Sequence, residues 1–455
     1  MCLGDSLRSI DSFSLSRIAL GSIAALLTQS ISAASLPEIV HPAIVDAAAW
    51  ARSSPFAALG APAGTGQRVV IANGAQGDFF GWSVAIDGDT ALVGAYAVTV
   101  DGREQQGAAY VFTKTGDLWN LAATLTASDG VAFDIFGERV ALSGNVAAIG
   151  AYEADRSKGA VYVFTGSGSH WTQKARLVAD DGAASDCLGW SVAATGQTVL
   201  AGAPFVTTGQ VQTGAIYVFA PSGGTWTQTQ KFFPDDINSG DFFGSTVAAD
   251  GTTAIVAAEY ALVGANQGQG AAYVYDGTGG TWTQQAKLTS DDGAAFDNFG
   301  RSVAVSGSTA FVGAPYAVID GNGFQGAAYV FSGSGSDWQQ DQKLVASDGA
   351  AGGYFGWSVA VSGDNALVGA GSYNMARAGE AYSFARAPTL FEETHAYAGD
   401  GGGVDDYGWS VSVSGTDAIV GEPFAYVDPN YAQGASFFYT LAAPSDDTIF
   451  ANGFE

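Results

Sequence analysis

The chain has 455 residues, a formal net charge of -27, 63 glycines, three histidines and two cysteines. So acidic a chain offers no basic face to nucleic acid or to anionic lipid headgroups. The histidines, His41, His170 and His395, are too few and too scattered for a histidine-based metal or Ser-His-Asp centre.

In chain order, Arg8 and Arg17 lead into an apolar run from Ile18 to Leu27, followed by Ser32-Ala33-Ala34. This is the pattern of a cleaved export signal over 1–34, and it places the mature protein outside the cell, at the outer surface or in the periplasm. Its removal takes away Asp5, Asp11, Arg8 and Arg17, so the net charge is unchanged. Residues 35–66, with Pro37, Pro42, Pro55 and Pro62, read as a linker or cap. No transmembrane segment is expected in the mature chain, and a monomer is expected.

From residue 67 to 440 one pattern recurs seven times. A glycine behind an aromatic or apolar residue stands at Gly81, Gly137, Gly189, Gly244, Gly300, Gly356 and Gly408, spaced by 52 to 56 residues. The copy from Gly300 predicts four strands: Arg301–Val305, Ala310–Ala314, Gly326–Phe331 and Trp338–Val345. Four short strands repeated at this period make a blade, and seven blades make an all-β, seven-bladed β-propeller of four-stranded antiparallel blades. The last copy ends at its third strand, while residues 67–72 precede the first copy where a fourth strand belongs. The N-terminal strand is therefore predicted to complete blade 7 and close the ring. Residues 441–455 form a C-terminal tail.

Phe80-Gly81 with Val93-Gly94-Ala95, Phe136-Gly137 with Ile149-Gly150-Ala151, and Phe299-Gly300 with Val312-Gly313-Ala314-Pro315 resemble FG-GAP repeats. These form the propeller of integrin alpha subunits and of many bacterial extracellular proteins. The resemblance implies a recognition or adhesion module. Members that bind calcium carry an Asp-x-Asp-x-Asp-Gly type loop between the first two strands; here that turn is as short as Asp87-Gly88-Asp89 or Ser306-Gly307-Ser308. Such turns lack the six or more oxygens that calcium takes, so those family sites do not carry over.

Acids recur instead in the connection from each fourth strand to the next blade, as the pairs Asp129/Asp134, Asp181/Asp186, Asp236/Asp241, Asp292/Asp297 and Asp400/Asp405. They serve either as turn residues that accept local backbone N–H groups or as shallow calcium sites completed by loop carbonyls. On the same face, an aromatic residue opens the connection between second and third strands: Tyr96, Tyr152, Phe205, Tyr260, Tyr316, Tyr373 and Phe424. Trp82, Trp190, Trp357 and Trp409 follow the repeated glycine. These rings either pack blade on blade or offer a ligand-binding rim.

The lengths of the connections between second and third strands vary, so recognition of an extracellular protein or glycan is expected on that face. A carbohydrate-active lyase or hydrolase with acids in an axial pocket is the alternative, and a structural surface protein a further one.

Overall fold

The computed structural model describes residues 66–371, 378–399 and 405–441. The export signal, nearly all of the linker, Tyr373, Asp400, His41 and residues 442–455 lie outside the described residues. Every described residue belongs to one compact unit, Ala61–Glu455.

That unit is a seven-bladed propeller. Blade 5 shows the plan, with antiparallel strands Ser302–Ser306, Thr309–Ala314, Ala327–Ser334 and Asp337–Leu344 hydrogen-bonded in chain order. The second and third strands are almost wholly buried, whereas the fourth alternates exposed and covered residues. This is the pattern of a blade covered on both faces near the axis and wetted at its rim. First strands of adjacent blades touch all around the ring, including those of blades 1 and 7, and so line the axis.

Closure is as the sequence predicts. Gln67–Val69 pairs antiparallel with Ala435–Thr440, and blade 7 takes its outermost strand from the start of the repeat region. This strand ends at Val69, earlier than residue 72, because the Ile71 carbonyl turns away to accept Gly74 N–H (3.0 Å) and the Gln433 amide (2.7 Å). The Gln67 side chain also bridges to blade 1, donating to Trp119 O and accepting from Trp119 N, both at 2.7 Å. Trp119 in turn stacks on Phe438 with ring centroids 4.6 Å apart.

The repeated glycines have a common cause in the blade contacts. A Cβ on Gly94, Gly202, Gly313 or Gly421 would run into the carbonyl oxygen of the repeated glycine in the next blade, Gly137, Gly244, Gly356 or Gly81. Neighbouring blades therefore meet backbone to backbone. Blade 4 has Ala257 at this place, and its methyl is what a Cβ on Gly300 would meet first, at 2.8 Å.

The hairpins joining first to second strands interlock on one face, here called the turn face. The side chain of Asp87, Ser143, Thr195, Asp250, Ser306, Ser362 or Ser414 bonds the glycine of the next blade's hairpin at 2.6 to 3.1 Å, and blade 7 reaches blade 1. This explains the short Ser/Asp-Gly turns. The opposite, loop face carries the acidic turns and the connections between second and third strands.

Candidate functional site: the loop-face mouth of the propeller

The paired acids divide into two roles. The first acid of a pair faces a cation from the blade that follows. Asp181 accepts Lys231 Nζ (2.6 Å) and Tyr217 OH (2.8 Å), and Asp292 accepts Lys343 Nζ (2.7 Å) and Tyr329 OH (2.9 Å). Asp236 meets Lys287 at 2.5 Å and Asp129 meets Arg176 at 3.3 Å. The lysine stands opposite the tyrosine on adjacent strands, with its ammonium over the ring, 5.1 Å for Lys231 on Tyr217. Burial alone would push the Asp181 and Asp292 carboxyls up, but their lysine and tyrosine partners outweigh it and hold both below the ordinary value.

The second acid is buried and folds its own turn. Asp134, Asp186, Asp241 and Asp297 each accept the N–H of the residue three places earlier at 2.7 to 2.8 Å. Burial pushes these carboxyls up, and the backbone bond partly offsets it. Asp405 is likewise buried, with its pair partner Asp400 outside the described residues. Among the described residues, no group of three or more His, Cys, Asp or Glu side chains converges to hold a metal ion.

The connections expected to vary are less varied than their sequences. In blades 1, 4, 5 and 7 they close on the same small bridge, Val100 with Arg103, Val263 with Asn266, Ile319 with Asn322 and Val427 with Asn430. A buried glutamine anchors each, as when Asn266, Asn322 and Asn430 donate to Gln269, Gln325 and Gln433 at 2.8 to 2.9 Å. Blade 2 instead has a helical turn at Ala154–Ser157, and blade 3 a two-stranded ribbon, Thr207–Thr208 with Val211–Gln212.

Inside these connections runs an aromatic belt. Trp357, Trp409 and Trp82 succeed one another across blades 6, 7 and 1 with centroids 5.0 and 4.6 Å apart. Tyr96 packs against Trp82 at 4.8 Å, Tyr152 against Trp190 at 4.7 Å, and Phe205 touches both Trp190 and Phe242. Tyr260 packs on Phe242, Tyr316 on Tyr354, and Phe424 on Trp409. Tyr152, Phe205 and Tyr316 thus touch rings at the start of the next blade and Phe424 also reaches Trp82 of blade 1, whereas Tyr96 and Tyr260 pack on rings of their own blades; these six are half-buried, and Tyr373 is not described.

Four charged residues interrupt the belt, and sequence reasoning did not single them out. Glu138 and Arg301 occupy the place that holds tryptophan in four other blades; Arg139 occupies one that holds serine or threonine in the other six; Glu259 opens the blade 4 connection. A charged residue in a register of tryptophans and hydroxyls was the available signal. Glu138 is 7% exposed, and its Oε1 accepts from Arg139 Nη1 at 3.4 Å. The Tyr152 hydroxyl and the Trp82 indole N–H face this carboxylate and help to hold its charge.

Burial pushes the Glu138 carboxyl up, and Arg139 opposes it. Glu259 is raised by burial too, opposed by Arg301, whose Nε lies 3.9 Å away, and by the charge of Arg139 two blades distant. Arg301 lies over the Trp357 ring at 4.4 Å.

Similarity to known proteins fits this architecture. The FG-GAP repeat profile matches seven times, at 66–112, 119–164, 171–219, 226–275, 282–331, 338–384 and 391–439. No curated protein matches the chain. Among solved structures, a chain of the mitotic checkpoint complex is similar at 10% identity, with 92% of this chain and 100% of that chain covered and a TM-score of 0.51. Sqt1 of Saccharomyces cerevisiae aligns at 13% identity over 82% of this chain and 98% of its own, with a TM-score of 0.43. The first likeness concerns the fold alone. The seven profile matches, each running from the fourth strand of one blade into the third strand of the next, show that the chain belongs to the FG-GAP repeat family.

Proposed function

We propose that this protein is an exported, non-catalytic recognition module that binds an extracellular protein or glycan through the loop face of its propeller. The observation that carries the reading is the asymmetry between faces. The turn face is a closed ring of seven hairpin-to-hairpin hydrogen bonds, whereas the departures among repeats, Glu138, Arg139, Glu259 and Arg301, collect at the loop-face mouth. Four charges set among tryptophans cost desolvation and are poor contributors to stability, which favours a role in binding.

A screen against glycans and matrix proteins, with and without calcium, tests it. Binding should be lost in loop-face variants such as Trp409→Ala and retained in turn-face variants such as Ser362→Ala. Binding that follows the turn-face variants, or a clean negative across both ligand classes, overturns the reading.

A carbohydrate-active hydrolase or lyase is favoured by one observation, the raised carboxyls of Glu138 and Glu259 beside Arg139 and Arg301. Release of reducing or unsaturated ends from a polysaccharide panel, abolished by Glu138→Gln, would establish it.

A further inference from the structure

We propose that the loop face of blade 5 is the docking surface for a partner protein whose contact surface is basic and carries apolar side chains. This rests on the recognition reading above and names its partner class. The connections of this blade hold three exposed large apolar side chains, Phe296 (60%), Val318 (58%) and Phe324 (50%). Phe296 lies in the acidic turn that enters the blade, and the other two lie in the connection between its second and third strands.

Both rings sit on backbone that disfavours them. Phe296, at φ 67°, fills the place that Gly77, Gly240 and Gly352 hold in other blades at 78°, 90° and 73°. Its N–H bonds Gln267 O of the preceding connection at 2.9 Å, as Gly352 N–H bonds Gly323 O at 2.9 Å, so the fold requires this conformation but not the ring. Phe324, at φ 56°, fills the place of Gly268 in blade 4 and Ala432 in blade 7. A bulky side chain is strained there, and half or more of each ring is left to water. Fold stability accounts for neither cost, whereas an interface that buries the rings does.

The two places alternate across the blade junctions. Between blades 4 and 5 the ring comes from the turn, and a Cβ on Gly268 would meet Phe296 at 3.1 Å. Between blades 5 and 6 it comes from the connection, as Phe324, and the turn supplies Gly352. Each junction beside blade 5 therefore presents one ring. Phe324 is also continuous with the mouth: it stacks on Tyr354 at 6.1 Å, Tyr354 meets Trp357 at 6.4 Å, and Trp357 meets Trp409 at 5.0 Å.

Charge selects the partner. Asp291 shares the turn of Phe296, and Asp320 stands between Val318 and Phe324; both are exposed, and neither forms an ion pair among the described residues. Lys343, which reaches this turn, is already held by Asp292 at 2.7 Å. A second copy of a chain of net charge -27 would be repelled, and so would an anionic lipid surface. A basic protein surface with apolar side chains meets the acids and the rings together.

The test is fluorescence anisotropy of a labelled amphipathic Lys/Leu peptide titrated with the full chain, with Glu/Leu and Lys/Ser peptides of equal length as controls. The Lys/Leu peptide should bind tightest. Phe296→Gly and Phe324→Gly should each weaken it about 10-fold without lowering the thermal midpoint, because glycine takes these backbone angles freely. Asp291→Asn and Asp320→Asn should each weaken it about two- to fivefold and flatten its salt dependence. A midpoint that falls in Phe296→Gly assigns the ring to the fold and overturns the proposal. Equal binding of the Lys/Ser or Glu/Leu peptide overturns it as well, as does self-association of the wild type that Phe296→Gly abolishes. Binding that ignores both phenylalanine variants but is lost in Trp409→Ala confines recognition to the mouth, which refutes docking on blade 5 and leaves the recognition reading standing. If no peptide binds, this docking surface is refuted, and the screen of glycans and matrix proteins decides the broader reading separately.

Discussion

Deleting residues 66–72 removes the outermost strand of blade 7, which the N-terminal end of the repeat array supplies to its C-terminal end. The loss can be worked from the contacts. The Gln67 amide makes two bonds of 2.7 Å to the Trp119 backbone, worth about 1 kcal/mol each. Pairing of Gln67–Val69 with Ser436–Phe438 adds ladder bonds totalling about 2 kcal/mol. Buried Val69, with half-buried Ile71 against the blade 1 cluster, adds about 2 kcal/mol more. The sum, about 6 kcal/mol, is comparable with the whole stability of a typical domain.

The deletion also bares the edge of Ala435–Thr440 and the ring of Phe438, a template for pairing with another chain. Light scattering after gel filtration should therefore show association, and the thermal midpoint should fall steeply. A synthetic peptide of residues 66–72 should reverse part of both effects by restoring the strand in trans. A monomeric deletion protein with an unchanged midpoint would refute the closure argument.

Gly313→Ala drives a methyl into the Gly356 carbonyl and should cost about 3 kcal/mol, as overpacking against backbone that cannot rotate away. Gly335→Ala, at φ 54° but with open space around it, should cost only about 1 kcal/mol in a denaturant titration; equal losses would remove the blade-contact explanation of the motif. Burial, with the Asp405 charge, pushes the Asp406 carboxyl up to about 7 from 3.8. The folded state therefore holds its proton more tightly than the unfolded one, and this group's contribution is full below about pH 4 and lost as pH rises through 7. Asp406→Asn should consequently gain about 4 kcal/mol over wild type at pH 8 relative to pH 4; a gain that does not change with pH would contradict this.

Calcium is tested through the same loops. Lys231, Lys287 and Lys343 already supply a positive charge to Asp181, Asp236 and Asp292, so the midpoint of chelator-treated protein should not move on adding calcium. A rise that disappears in Asp292→Asn/Asp297→Asn would instead establish calcium sites there.

The ring was legible in the sequence because its cause is local and repeated. The glycine pairs, the Ser/Asp-Gly turns and the strand alternation recur in each copy, and even the displaced closing strand showed as a gap at one end and a surplus at the other. The mouth was not legible in the same way. Reading down the copies directs attention to what recurs, such as Tyr96, Tyr260 and Phe424, and these pack on a ring at the start of their own blade, Trp82, Phe242 and Trp409. Glu138 and Glu259 fall in different blades and at different repeat positions, and only folding brings them under the influence of the same arginine, Arg139. Loop length misled for a related reason: the connections of blades 1, 4, 5 and 7 differ in sequence yet close on one geometry, because a buried glutamine and a two-residue bridge set their shape.

The closing strand has a consequence for how the molecule can be held. Gln67–Val69 runs antiparallel to Ala435–Thr440 in the same blade, so the described chain both enters and leaves beside the hairpins, where Leu441 N–H bonds Thr416 O at 2.7 Å. An anchor, tag or fusion attached close to either point therefore starts from the side away from the aromatic mouth. Immobilised this way, the propeller presents Trp409, Trp82 and Glu138 outward, like a dish mounted from behind.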